Sequence, residues 1–348
     1  MNNEGQNTRL ASNRTQRTRA DVATIAERTP NRVRQRKPIP ALPECYNKKK
    51  AIPFNLEDQS CDDFLRITFP KMEPILGKWL EPQSLSMIYG PRGGGKTYLA
   101  LSIAYAISTG RDLFDWKVAS PKKVVYLDGE MAAHALQARL RKMVRSNENV
   151  NPREMLRIVT PDLQKGILPD IATIEGQRMI NCAIHPDTDV IIVDNLSSWS
   201  KAGGEDAETW APIAAWALKL RSEGKTVIFI HHAGKSGAQR GTSRREDHLD
   251  TVIALRRPPQ SKPSDGAYFE LHFEKSRNQT GTDVEPFFAQ LFDDDDGNQR
   301  WDWGPIALPV DARKMEAKEM EGRNMSRAAI AKHFGVNPST ITRWLNEK

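Results

Sequence analysis

Ser84–Ala106 reads SLSMIYGPRGGGKTYLALSIAYA, and the order of residue types along it decides the fold. Leu85–Tyr89 is a short apolar run of the kind a buried parallel strand needs. Leu99, Ala100, Ile103 and Ala104 then recur at helical spacing. Between the two, Gly90-Pro91-Arg92-Gly93-Gly94-Gly95-Lys96-Thr97 satisfies G-x-x-x-x-G-K-[ST] at each fixed position, and Tyr98 follows. Glycines let the chain turn tightly enough for successive N–H groups to point at one anion, and the helix start adds partial positive charge. Lys96 has the reach for β- and γ-phosphates and Thr97 a hydroxyl for Mg²⁺, so Gly90–Tyr98 is expected to hold ATP.

The flanking sequence repeats the strand–helix alternation. Lys122–Leu127 reads as a strand that ends in Asp128-Gly129-Glu130, with a helix from Ala132 to about Arg145. Leu156–Thr160 is a short strand, residues 171–186 a helix, and Val190–Val193 a buried strand closed by Asp194. Ser197–Ala207 is polar and reads as a loop; the helix after it presents Trp210, Ile213, Ala214, Ala217 and Leu220 on one face. Thr226–Ile230 is the next strand and ends at His231-His232, followed by a Gly-rich loop over 234–245. Thr251–Leu255, Ala267–Phe273 and Val284–Phe292 read as later strands of more antiparallel character, and Asp293–Gly297 as a solvated hairpin tip. Strands alternating with helices predict an α/β fold with a mostly parallel sheet, whose ligands sit at the carboxyl ends of the strands. The P-loop, Asp128 and Glu130, Asp194, and His231 and His232 each close one strand.

Composition bounds the rest. The 348 residues leave room for one large α/β domain with appendages: an arm over 1–50, a lead-in over 51–83, the ATPase over 84–300 and a tail domain over 311–348. The net charge of +7 is uneven: residues 1–50 hold 12 Lys/Arg against 4 Asp/Glu, and residues 51–348 hold 39 against 40. The basicity therefore belongs to an Asn-, Arg- and Pro-rich arm, disordered by composition apart from a short helix near Ala20–Arg28, and suited to a polyanion. No apolar run approaches a membrane span, and no secretory signal opens the sequence. Cys45, Cys61 and Cys182 match no zinc spacing, so a reduced, cytoplasmic location is expected.

Within this frame Asp194, after four aliphatic residues, has the pattern of a Walker B carboxylate that holds Mg²⁺. Glu130 is placed to orient and deprotonate an attacking water. His231 or His232 stands where a γ-phosphate sensor belongs, and the residue types alone do not say which.

GPRGGGKT, YLDGE, VIIVDN, FIHHAGK and RGTS together resemble a RecA-like ATPase, most of all the RepA-type hexameric replicative helicases of plasmids and mobile elements, over about residues 74–292. The resemblance implies a hexameric ring that passes single-stranded DNA through its channel. Catalysis is then implied at Glu130, the metal at Asp194 and phosphate sensing at His231/His232. Ser197–Ala207 and Gly234–Gln239 would face the DNA, with Lys201 and Lys235 as their cations, and Arg240-Gly241-Thr242-Ser243 matches the motif that follows. Lys275 and Arg277, in a Lys-x-Arg segment at the end of a late strand, resemble the finger that ring helicases insert into a neighbouring subunit's site. An origin-binding or regulatory DNA-binding ATPase and a recombination mediator are the rival functions.

Ser326–Asn346 (SRAAIAKHFGVNPSTITRWLN) reads independently as a helix-turn-helix. Ile330 and Phe334 pair at i, i+4, Gly335 permits the turn, Val336 plugs it, and Asn337-Pro338 caps the second helix. Ile341, Trp344 and Leu345 face inward, leaving Ser339, Thr340, Thr342 and Arg343 for duplex DNA. The charged segment Asp311–Gly322 is expected to supply a third helix.

Overall fold

β1 (Leu85–Gly90) lies in the middle of a nine-stranded sheet, and all six of its residues are buried. It pairs in parallel with β5 (Thr226–His232) on one side and with β6 (Thr251–Arg256) on the other. β4 (Val190–Asp194), β2 (Val124–Asp128) and β3 (Leu156–Val159) continue outward from β5, all parallel. Beyond β6 the direction reverses in β7 (Tyr268–Ser276), β8 (Phe287–Asp293) and β9 (Gln299–Pro305). The order is β3-β2-β4-β5-β1-β6-β7-β8-β9, the mostly parallel α/β sheet that the strand–helix alternation predicts. The computed structural model describes residues 58–69, 71–201, 207–233, 247–258, 261–262, 265–277, 279, 281–306, 310–334 and 338–346. The basic arm over 1–50, Lys235, the Arg240–Ser243 motif and the Gly335–Asn337 turn lie outside them.

Helices cover both faces of the sheet, which is why its parallel strands are apolar at nearly every position. On one face α2 (Lys96–Thr109) packs beneath Ile88, Ile192 and Ile230, and α3 (Ala133–Ser146) adds Leu136 and Met143. α2 is apolar around most of its circumference, as a helix sunk into a core must be. On the other face α4 (Ile174–Asn181), α5 (Leu196–Trp199) and α6 (Ala207–Ser222) cover Met87, Val193 and Phe229.

Several elements differ from the sequence reading. α5 occupies part of Ser197–Ala207, where a loop is predicted, and buries Leu196 and Trp199. β6 is parallel to β1, so the antiparallel part begins one strand later than expected. β9 carries the sheet past residue 300, with Trp301 and Trp303 packed against Phe114. α4 spans 8 residues of the 16 predicted, capped at Thr173. In the lead-in, Ile75, Leu76, Trp79 and Leu80 belong to the core, and Trp79 meets Trp116 at 5.3 Å between ring centroids. Upstream of them a short helix, α1 (Cys61–Arg66), buries none of its residues.

The tail is a separate apolar cluster. α7 (Val310–Gly322), α8 (Arg327–His333) and α9 (Pro338–Asn346) bring together Ala317, Ile330, Ala331, Ile341 and Trp344, with Met320, Phe334 and Leu345 at its margin. Ser326 caps α8 by accepting the Ala329 N–H, and Phe334 meets Trp344 edge-on at 5.8 Å. α7 thus supplies the third helix that a unit of two short helices needs for a core.

Candidate functional site

The carboxyl ends of β1, β2, β4 and β5 open into a cavity of about 420 Å³. The P-loop forms its floor, where Gly93 (φ +68) and Gly95 (φ +91) hold left-handed backbone that side chains disfavour. A Cβ at Gly95 would stand 2.8 Å from that of Ala267, so the loop also needs glycine there for space. α2 begins directly after Gly95 with no side-chain cap and no acidic residue in its first turn. Its free N–H groups and positive end are therefore left for an anion.

Lys96 and Asp194 bring opposite charges to this floor, and Glu130 stands at the mouth. Lys96 Nζ is buried and donates to the carbonyl oxygens of Gly90 (3.0 Å) and Pro91 (2.8 Å). Burial lowers its pKa from 10.5 to about 8, opposed by the charges of Asp194 and Glu130. Asp194 is buried at the end of β4, and burial pushes its carboxyl up from 3.8 to about 6, against hydrogen bonds from Tyr126 and Thr97. Tyr126 is enclosed completely, and its hydroxyl stays protonated as a donor to Asp194. Glu130, from the turn after β2, is exposed to the cavity mouth and accepts from the Asn195 amide.

A carboxyl with a raised pKa in the folded chain contributes stability that is complete below 3.8 and lost as pH rises through about 6. The nucleotide-free protein should therefore lose on the order of 3 kcal/mol between pH 4 and 7 through Asp194. Asp194→Asn should remove that loss. Thermal unfolding of both proteins across this range checks the sign; equal slopes would show that the carboxylate is not penalised.

The two histidines part company here. His232 lines the cavity, with Nε2 3.3 Å from Asn195 Nδ2 and 3.9 Å from Glu130 Oε2, whereas His231 is enclosed and does not reach it. Asp128 is not at the surface of the site either. Its buried carboxylate accepts from Thr160 (3.0 Å) and from the N–H groups of Met131 (3.2 Å) and Glu130 (3.4 Å), which shapes the turn that carries Glu130.

Arg92, Thr97 and Tyr98 line the cavity as the sequence predicts, and so does Arg139 of α3, which it does not. The Arg139 guanidinium lies 4.1 Å from the centre of the Tyr98 ring, a cation–π contact. Asn195, Met131, Gly266 and Ala267 also line the cavity without having been assigned a role from the sequence, Asn195 although it ends the VIIVDN stretch.

Other predicted site residues lie elsewhere. Lys275 and Arg277 stand at the opposite end of the sheet, where Ser276 pairs with Thr251 at the start of β6. β7 ends at Ser276, so strand alternation does not extend to Arg277 and does not set its side chain beside that of Lys275. Arg277 instead donates to the Asp247 carbonyl (2.5 Å) and pairs with Asp250 (3.5 Å), whose carboxylate also accepts the Leu85 N–H. Lys201 is exposed just after α5. Thr342 donates its hydroxyl back to the Pro338 carbonyl within α9 (3.1 Å), and the side chains of Ser339, Thr340 and Arg343 lie outside the described residues.

The glycine floor, buried lysine, threonine hydroxyl and buried aspartate suit a nucleoside triphosphate with a divalent cation, and they define a P-loop nucleotide-binding protein. The chain belongs to the AAA domain family, whose profile matches residues 50–238, more than half of its length. Residues 314–348 match a second family, the CENP-B N-terminal DNA-binding domain. A search of curated proteins finds no match. Among solved structures, the chain is similar to a KaiC-like protein from the hyperthermophilic archaeon Pyrococcus horikoshii OT3, at 14% identity and a TM-score of 0.46 over 64% of this chain and 90% of that one. It is also similar to the RadB recombinase, at 18% identity and a TM-score of 0.42 over 61% of this chain and 88% of that one. No described helix is long and apolar enough to cross a membrane.

Proposed function

We propose that the chain is a Mg²⁺-dependent ATPase that acts on DNA as a ring-shaped homo-oligomer, and that its work is replicative DNA unwinding for a plasmid, phage or other mobile element. The observation that carries this reading is the convergence of Lys96, Thr97, Asp194, Glu130 and His232 on one cavity, in a chain whose last 35 residues match a DNA-binding domain. Lys96 and the uncapped start of α2 bind the phosphates. The Thr97 hydroxyl and the Asp194 carboxylate hold the cation, which when bound neutralises charge on the phosphate oxygens. Glu130 takes the proton of the attacking water, and His232 faces the phosphate end. Self-association has surface to work with, since Phe64, Leu65, Ile67, Phe69 and Met72 are all exposed in and after α1.

ATP turnover with and without single-stranded DNA, beside strand displacement on a forked duplex, tests this reading. Turnover stimulated by DNA with displacement supports the motor. Stimulation without displacement would leave a regulator or recombination mediator. The tail is expected to hold duplex DNA. Because α7 is part of its core, a chain ending at Ile306 is the cut that removes the unit whole. That chain should keep nucleotide affinity and lose duplex affinity, and Arg343→Ala alone should cost about 1–3 kcal/mol of binding. Unchanged duplex affinity in the shortened chain would refute the assignment.

A further inference from the structure

At the end of the sheet away from the nucleotide lies a second, far smaller cavity of about 10 Å³. Trp79 of the lead-in, Asp250 and Thr251 at the entry to β6, and Ser276, Arg277 and Gln279 at the exit of β7 line it. Trp79 Nε1, Ser276 Oγ and Gln279 Oε1 are buried and have no hydrogen-bond partner among the described protein groups. Leaving such a group unpaired is costly, so three of them around one cavity call for a shared ligand. We propose that the cavity holds a single water molecule, and that this water braces the exit of β7, with Trp79 as the positioning residue. Size and chemistry both select water. The volume is at the lower limit for one water, about 10–15 Å³. The indole N–H can only donate and the Gln279 oxygen only accept, so the occupant must do both. A cation would face the indole N–H, and an anion would face the Gln279 oxygen and the Asp250 carboxylate. A water accepts from Trp79, donates to Gln279 and shares a third hydrogen bond with the Ser276 hydroxyl, the usual number for a buried water.

Trp79 cannot turn toward another partner. It is 2% exposed, and its ring meets Trp116 at 5.3 Å and Phe273 of β7 edge-on at 6.5 Å. Its carbonyl accepts the Thr251 hydroxyl (3.2 Å), which fixes the backbone at the start of β6. Through the water this immobile indole reaches Ser276 and Gln279, which flank Arg277 in sequence. Arg277 is held on the rim of the same cavity by Asp250 (3.5 Å), itself fixed by the Leu85 N–H (2.9 Å). The brace therefore sets where the segment bearing Lys275 and Arg277 leaves the sheet. Its catalytic consequence rests on the reading that these two cations serve a neighbouring subunit's site.

A crystal structure of the full chain at a resolution that shows ordered water tests the site directly. One water within about 3.2 Å of all three atoms is expected. A protein group bonded to Trp79 Nε1, or no water between the three atoms, would overturn the proposal. Trp79→Phe keeps a ring in place and deletes the N–H. Its kcat should fall about 5-fold or more, the least that a buried polar group left without a partner costs, while affinity for ATPγS stays within ~2-fold. Excess Lys96→Ala protein, whose β7 exit is intact, should raise the turnover of Trp79→Phe per functional P-loop. No rise, with subunit exchange shown, would place the defect in the variant's own site and overturn the positioning role. Ser276→Ala removes another of the three hydrogen bonds and serves if Trp79→Phe does not fold; wild-type kcat in both variants would overturn the brace. Full activity in Lys275→Ala/Arg277→Ala would instead sink the reading of these cations, and the water would stand or fall on the crystal structure.

Discussion

Glu130→Gln should leave nucleotide affinity nearly unchanged and lower kcat by about 10²–10⁴-fold, because an amide cannot take the proton of the attacking water. The isosteric change preserves the side chain's volume. The carboxylate stands at the cavity mouth, so little of the buried structure depends on its charge. Lys96→Ala should behave differently. It removes the buried ammonium that bridges the Gly90 and Pro91 carbonyls, so phosphate affinity should fall together with turnover. Equilibrium binding of a fluorescent ATP analogue separates the two effects. Near wild-type turnover in Glu130→Gln would remove it from the proposed role and pass that role to another group, although Asp128 is already committed to Thr160 and two backbone N–H groups.

The second large effect should come from the far end of the sheet. If Lys275 and Arg277 complete a neighbouring subunit's site, replacing both with Ala should cost about 10³–10⁵-fold in turnover, as arginine fingers do in other NTPases. Their position forbids a role in their own chain's cavity, because six residues of β1, roughly 20 Å of extended strand, separate the two ends. Arg277 is tied to Asp247 and Asp250 within its own chain, so a role in a neighbouring site would require it to leave them. The measurement mixes two inactive proteins, Lys96→Ala and Lys275→Ala/Arg277→Ala. Mixed assemblies should regain activity wherever an intact P-loop meets an intact cation pair. Activity that stays at zero at every ratio, with subunit exchange demonstrated, would sink the assignment.

What the sequence revealed and what it hid follow from the range of each signal. The P-loop was legible because strand, glycines and helix are contiguous and each constrains the next. Buried strands such as Val190–Asp194 announce themselves as unbroken aliphatic runs. β9 did not, since QRWDWGP is half polar and offers only two alternating tryptophans. α5 is four residues long, too short for a helical period to register. Arg139 became visible only when tertiary pairing brought it to the cavity, as no local pattern marks it, and the place of Asn195 beside Glu130 and His232 needed the same pairing although VIIVDN contains it. The two histidines illustrate the same limit. Adjacent residues on a strand face opposite ways, so only one of them could reach the site, and choosing required the register of β5 against β1.

The position of β1 has a consequence for how the chain is made. The strand that carries the P-loop is among the first core segments to leave the ribosome, yet both of its neighbours come much later, at Thr226–His232 and Thr251–Arg256. Its pairing closes loops of well over a hundred residues, the kind of contact that slows folding. Until Arg256 has been synthesised, an apolar strand, LSMIYG, has at least one edge open to other chains. The nucleotide cavity thus forms only after Thr226–His232 and Thr251–Arg256 have been made, and the nascent chain is most prone to aggregate before that pairing lets it bind its first ligand.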